Sequence, residues 1–115
     1  MVDLSFLEKF TKGDTKKMKR YINIYLGIAP GTFEQMNQHV IDQDWEQLRI
    51  KAHSLKPQAD YMGIPKLKAV LLEIEQSVHE AKFERLFALF EKASAIHIES
   101  VPLLKVFTDS AESEK

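Results

Sequence analysis

The sequence contains no cysteine. A disulfide framework, a cysteine-ligated zinc ribbon and a thiol nucleophile are thereby excluded. Glycine and proline are scarce, four of each in 115 residues, and most fall between periodic segments. Neither sign of charge dominates: 16 Lys and Arg stand against 17 Asp and Glu, for a formal charge of −1. A general nucleic-acid binder would carry a basic excess, so nucleic acid is not an expected partner. No apolar run approaches the roughly 20 residues that cross a bilayer. The opening stretch, MVDLSFLEKF, mixes acidic with apolar residues and has no basic region leading into an apolar one. It does not read as a signal peptide. A cytoplasmic protein with no membrane partner is expected.

What is present is enough apolar surface for one core. Hydrophobic residues make up 44% of the chain, and the length suits a single domain. The reading is one helical domain over residues 1–107, followed by a short polar tail from Thr108 to Lys115. Apolar residues recur at helical spacing throughout, and no segment alternates with period two. A first short helix over Leu4–Lys12 carries Phe6, Leu7 and Phe10 and ends at Gly13. Asp14 is placed to cap a second, with Met18, Tyr21, Ile22 and Tyr25, that stops near Gly27–Pro30. Thr32 and Gln35 have capping-box spacing and open a third with Phe33, Met36 and Val40. Asp44 and Gln47 open a fourth, carrying Trp45, Leu48, Ala52, Leu55 and Ala59. Pro65 suits the first turn of a fifth, with Leu67, Val70, Leu71, Ile74 and Val78. The last presents Phe83, Leu86, Phe87, Phe90, Ala93, Val101 and Leu104, with a kink or end expected before Pro102. The fold class is all-α: an antiparallel four-helix bundle with one or two short additional helices.

The chemistry concentrates around His53. With about 100° per residue, the apolar residues Trp45 to Met62 centre roughly 130° away from it. His53 therefore stands on the exposed stripe, with Arg49 one turn before it and Lys56 almost one turn after. A neutral imidazole offers an unprotonated nitrogen as a nucleophile, and nearby cations steady an arriving phosphoryl group. No phosphate-cradling glycine loop and no Ser–His–Asp pattern is visible. These residues suit accepting a phosphoryl group, not cleaving ATP.

The run His53-Ser54-Leu55-Lys56, with Gly63 ten residues after the histidine, resembles the signature of the histidine-containing phosphotransfer (HPt) domain. That signature reads His-x-Leu-Lys-Gly, two small residues, and a glycine at this offset; Ala52 before the histidine is also usual. The resemblance covers nearly the whole chain, because HPt domains have about this length and carry the motif on the second helix of a four-helix bundle. It implies a free-standing shuttle in a multistep phosphorelay, moving a phosphoryl group between aspartates of receiver domains. Those receivers belong to response regulators or hybrid histidine kinases. By position, His53 is the phosphoacceptor, Lys56 offsets phosphate charge, and Gly63 ends the helix. No cofactor, metal or ATP site of its own is implied; the divalent cation belongs to the receiver. The protein is then a phosphoryl carrier and not a kinase, and a monomer is expected. The alternative is an adaptor that docks receivers or kinases without being phosphorylated.

Two positions depart from the signature: Pro57 replaces the usual glycine and Gln58 a small residue. Pro57 removes one backbone hydrogen bond and crowds the His53 carbonyl, so a local kink is expected. Arg49, Ile50, Pro57, Asp60 and Tyr61 are the candidate docking residues around the site. Lys16, Lys17, Lys19 and Arg20 form a basic cluster suited to an acidic partner. His39 and His79 read as surface histidines and His97 as an interior, hydrogen-bonded one. No pair of histidines has metal-ligand spacing.

Overall fold

Helix starts fall where side chains can satisfy free backbone N–H groups. In the computed structural model, which describes residues 2–113 and side chains as far as residue 109, the Asp14 carboxylate accepts from the Lys17 N–H at 3.1 Å. It opens α2, Thr15–Ile41. Asp44 accepts from the Gln47 N–H at 3.3 Å and opens α3, Trp45–Tyr61. Pro65 occupies the first turn of α4, Pro65–His79, where a missing N–H costs nothing. A short α1, Ser5–Phe10, precedes these helices. A 3₁₀ turn, Phe83–Arg85, leads into α5, Leu86–Ser113. Among the described residues there is no strand, as periodicity predicts.

The expected break between two helices near Pro30 does not occur. α2 is one helix of 27 residues, and Thr32 caps nothing; its hydroxyl donates back to the Ile28 carbonyl. The helix likewise runs through Pro57 in α3 and Pro102 in α5. All three prolines lie on exposed faces, where the carbonyl each leaves unbonded can be hydrated. An interior proline costs about 3 kcal/mol. Each large side chain buried on either side contributes about 1.5–3 kcal/mol, and Tyr25, Ala29, Phe33 and Met36 bracket Pro30 on the buried face. Continuity therefore wins. The polar segment from Thr108 continues α5 to Ser113; residues 114–115 lie outside the described residues.

Four long helices close the bundle in the cyclic order α2, α3, α4, α5, each packing on the next and α5 on α2. The α3–α4 seam is thus opposite the α2–α5 seam. Core residues follow the predicted stripes, including Leu48, Ala52, Leu55 and Ala59 on α3 and Leu67, Val70, Leu71 and Ile74 on α4. Four expected core aromatics are instead exposed: Phe6 52%, Phe10 51%, Phe83 39% and Phe87 62%. A helix as short as α1 offers the core a single position, and Leu7 takes it. His97 is interior as expected. Its Nδ1 meets the Tyr25 hydroxyl at 2.8 Å and its ring stacks on Phe33. Burial lowers the His97 pKa below its ordinary value and raises that of Tyr25.

Candidate functional site

The site lies on the α3–α4 seam. Leu55 and Ala52, both buried, hold α3 against the core and turn His53 outward, where its side chain is 67% exposed. Opposite it, Ile74 is fully buried on α4 and leaves the next residue, Glu75, at the rim of the seam. Glu75 joins the two motif residues. Its Oε2 lies 2.9 Å from His53 Nδ1 and its Oε1 2.7 Å from Lys56 Nζ. The Glu75 side chain is only 14% exposed and that of Lys56 21%. Oε1 is buried and makes no aligned hydrogen bond; the Lys56 ammonium is its charge partner.

Burial alone would raise the Glu75 pKa, but the contacts and charges of Lys56 and His53 outweigh it and hold the carboxyl below its ordinary value. Glu75 is therefore ionised at neutral pH and can only accept hydrogen bonds. The contact with His53 then requires the proton to sit on Nδ1, which in the neutral ring leaves the lone pair on Nε2. The nitrogen with the lone pair thus belongs to a mostly exposed side chain, while the other is held by Glu75.

The remaining predicted residues divide. Arg49 pairs with Glu46 on its own helix, which raises its pKa. With Leu72, Glu75, Gln76, His79 and Glu80 it also lines a cleft of about 370 Å³ beside the site. Ile50 is 42% exposed and Pro57 is exposed one turn after His53. Asp60 is tied to Lys68 of α4 at 3.0 Å, bracing the far end of the seam. Tyr61 is half-buried under α1, within 5.4 Å of Phe6 and 5.3 Å of Phe10. It stacks on Tyr21 of α2. Through Tyr21 the basic cluster reaches this side of the bundle: Lys17, Arg20, Phe10 and Tyr21 line one cleft of about 410 Å³.

Gly63 ends α3 with φ +65°, a conformation glycine adopts freely. The Ile64 N–H returns to the Ala59 carbonyl at 2.9 Å and closes the helix end. The glycine has a second role that sequence reasoning missed. Its carbonyl accepts from the Asp3 N–H at 2.8 Å, and a Cβ here would lie 1.6 Å from the Asp3 carbonyl oxygen. The N-terminal segment closes over this glycine. Glu75 was also missed. It is one of two acidic residues on α4, with Glu73, and only the packing of α3 against α4 singles it out.

Among the described residues no cluster of His, Asp and Glu is arranged to hold a metal ion, and no helix is long and apolar enough to cross a membrane. Compared with known protein families, the chain matches the Hpt domain over residues 20–99. No curated protein and no solved structure gives a significant match.

Proposed function

The chain belongs to the HPt domain family, the match spanning well over half of its length, and from this premise we propose that it carries a phosphoryl group between receiver-domain aspartates as phosphohistidine at His53. Domains of this family serve phosphorelays as phosphocarriers rather than kinases, and interact with receiver domains. The observation that carries the assignment to His53 is the Glu75 contact at Nδ1, which leaves the exposed Nε2 as the attacking atom.

In the proposed step a receiver aspartyl phosphate docks over the exposed face of α3, its divalent cation and acidic pocket supplied by the receiver. Nε2 attacks phosphorus in line, the aspartate P–O bond breaks, and the aspartate leaves as carboxylate. Nδ1 keeps its proton, so the phosphorylated ring is cationic, and the Glu75 carboxylate compensates that charge. Lys56 stands one turn away to offset charge on the phosphoryl oxygens. In the reverse step the carboxylate of a second receiver attacks phosphorus and the N–P electron pair returns to the ring. Positioning and electrostatics do the work, as phosphoryl transfer requires. Ile50, Pro57 and the Tyr61 aromatic group give the receiver an apolar margin, and the Lys17–Arg20 surface attracts its acidic face. We place this free-standing carrier in the cytoplasm.

The test is incubation with a panel of phosphorylated receiver domains beside a His53→Gln control. Acid-labile, alkali-stable label on His53 that is absent from the control is expected. Receivers that bind without transferring label would show the adaptor reading to be the correct one.

A further inference from the structure

The outer flank of α5 carries apolar residues that neither the core nor the His53 site uses. Ile98 is 64% exposed and Phe87 62%. Beside them, α2 and α5 leave a groove of about 520 Å³ with Phe33 and Phe90 in its lining and Ile98 on its edge. Glu91 and Lys105 are exposed and have no ion pair among the described residues.

The spacing of these residues names the occupant. Glu91, Ile98 and Lys105 follow one another at intervals of seven. Seven residues fall only about 20° short of two full turns, so the three share one line along the helix. Ile98 is at the midpoint, with opposite charges equidistant on either side. A two-fold axis through Ile98, relating two antiparallel copies of α5, sets Ile98 on Ile98. It brings Glu91 of each copy to Lys105 of the other. Small or short residues, Ser94 and Ala95, then face Pro102 and Val101 and allow close approach. A self-complementary patch is the signature of an isologous interface.

We infer that this face joins two copies of the chain in a weak, reversible, antiparallel dimer through α5. The stripe from Phe87 to Val106 is about 30 Å long. At about 10 Å of helix width it covers roughly 300 Å² per copy before the edge of α2 is added, which belongs to the weak class of interfaces. Because the α2–α5 seam is opposite the α3–α4 seam, both His53 side chains stay open to receivers. The single-chain state expected from sequence is then the dilute limit.

Sedimentation of the full chain from about 10 μM to about 1 mM tests this. A concentration-dependent dimer is expected. Ile98→Arg, at an exposed position, weakens it roughly a hundredfold. Glu91→Lys sets like charges together and weakens it roughly tenfold. The double variant Glu91→Lys/Lys105→Glu restores it. A monomer at every concentration overturns the proposal, as does a dimer indifferent to Ile98→Arg. A dimer that the double swap fails to restore overturns the antiparallel register. Far-UV circular dichroism confirms the fold of each variant. Label accepted by His53 is unchanged throughout, so failure of the dimer and failure of the phosphocarrier reading are distinguishable.

Discussion

Replacing Glu75 with glutamine tests the charge arrangement at the site most directly. The substitution keeps shape and keeps an acceptor oxygen for His53 Nδ1, but removes the negative charge. Two contacts lose their ionic character: Nδ1 to Oε2 at 2.9 Å and Lys56 Nζ to Oε1 at 2.7 Å. A hydrogen bond to a charged group is worth about 1.5–3 kcal/mol, against about 1 kcal/mol for a neutral one. His53 is 67% exposed while Glu75 is 14% exposed, so solvent screens one end and a value in the lower half of that difference applies, about 1 kcal/mol. The charge matters most once the ring is phosphorylated and cationic. Glu75→Gln should therefore move the equilibrium between receiver aspartyl phosphate and phosphohistidine about fivefold toward the receiver. The assay is the fraction of label on each partner at equilibrium, with nitrogen-resolved NMR to identify the phosphorylated ring atom. Undiminished phosphohistidine, or a phosphoryl group on Nδ1, would refute the reasoning. The melting temperature should stay within a few degrees of wild type, since the helix packing is untouched.

Three further outcomes follow from the same geometry. Gly63→Ala places a Cβ against the Asp3 backbone and forces alanine into left-handed φ; a loss of about 2 kcal/mol or more, on the order of 10 °C in Tm, is expected by thermal denaturation. Pro57→Ala restores an N–H facing the His53 carbonyl and should raise stability by about 1–3 kcal/mol in urea titration, while a lowered midpoint would show that the proline is required by the fold. His97 has a folded pKa below its ordinary 6.5 because it is buried, so between those values the unfolded chain binds more protons than the folded one. Stability is then fully present above 6.5 and is lost as pH falls through the lowered folded value. Denaturant unfolding across this range should show the loss in wild type and its absence in Tyr25→Phe/His97→Phe.

Local signals reached as far as local physics does. Asp14, Asp44 and Pro65 mark helix starts because a cap needs only a side chain and the next turn. The apolar stripe of α3 placed His53 outward for the same reason. Pro30 misled because its cost is local whereas the burial that overrides it, from Tyr25 to Met36, is tertiary. Phe6 and Phe10 have the right spacing for a core, but α1 is too short to bury more than Leu7. Glu75 is 22 residues from His53, and no periodicity on α4 reveals which residue of α3 it meets. The same holds for Tyr61, whose aromatic neighbours come from α1 and α2, and for Gly63, whose second contact is at the other end of the sequence.

The position of the site on a seam, instead of on the outer face of a single helix, resolves a conflict between access and electrostatics. In the proposed transfer a partner's phosphoryl group must reach Nε2, so the imidazole has to stand in solvent. Charge compensation in open solvent is weak, because exposed pairs are screened. The seam separates the two demands by half a side chain's length. His53 stands above the rim, and Glu75 and Lys56 are half sunk between α3 and α4, where the lower local dielectric strengthens their hold. Pairing between the carboxylate and the ammonium keeps either charge from being buried alone, the arrangement that would be costly. It also stores Lys56 within reach of the phosphoryl oxygens without fixing it there. In the proposed step, negative charge arriving on Nε2 attracts the Lys56 ammonium, and Glu75 faces the ring that becomes cationic. Phosphorylation in this proposed step thus exchanges one set of charge pairs for another instead of creating an unpaired charge, and a group held in this way can still be released to the next aspartate.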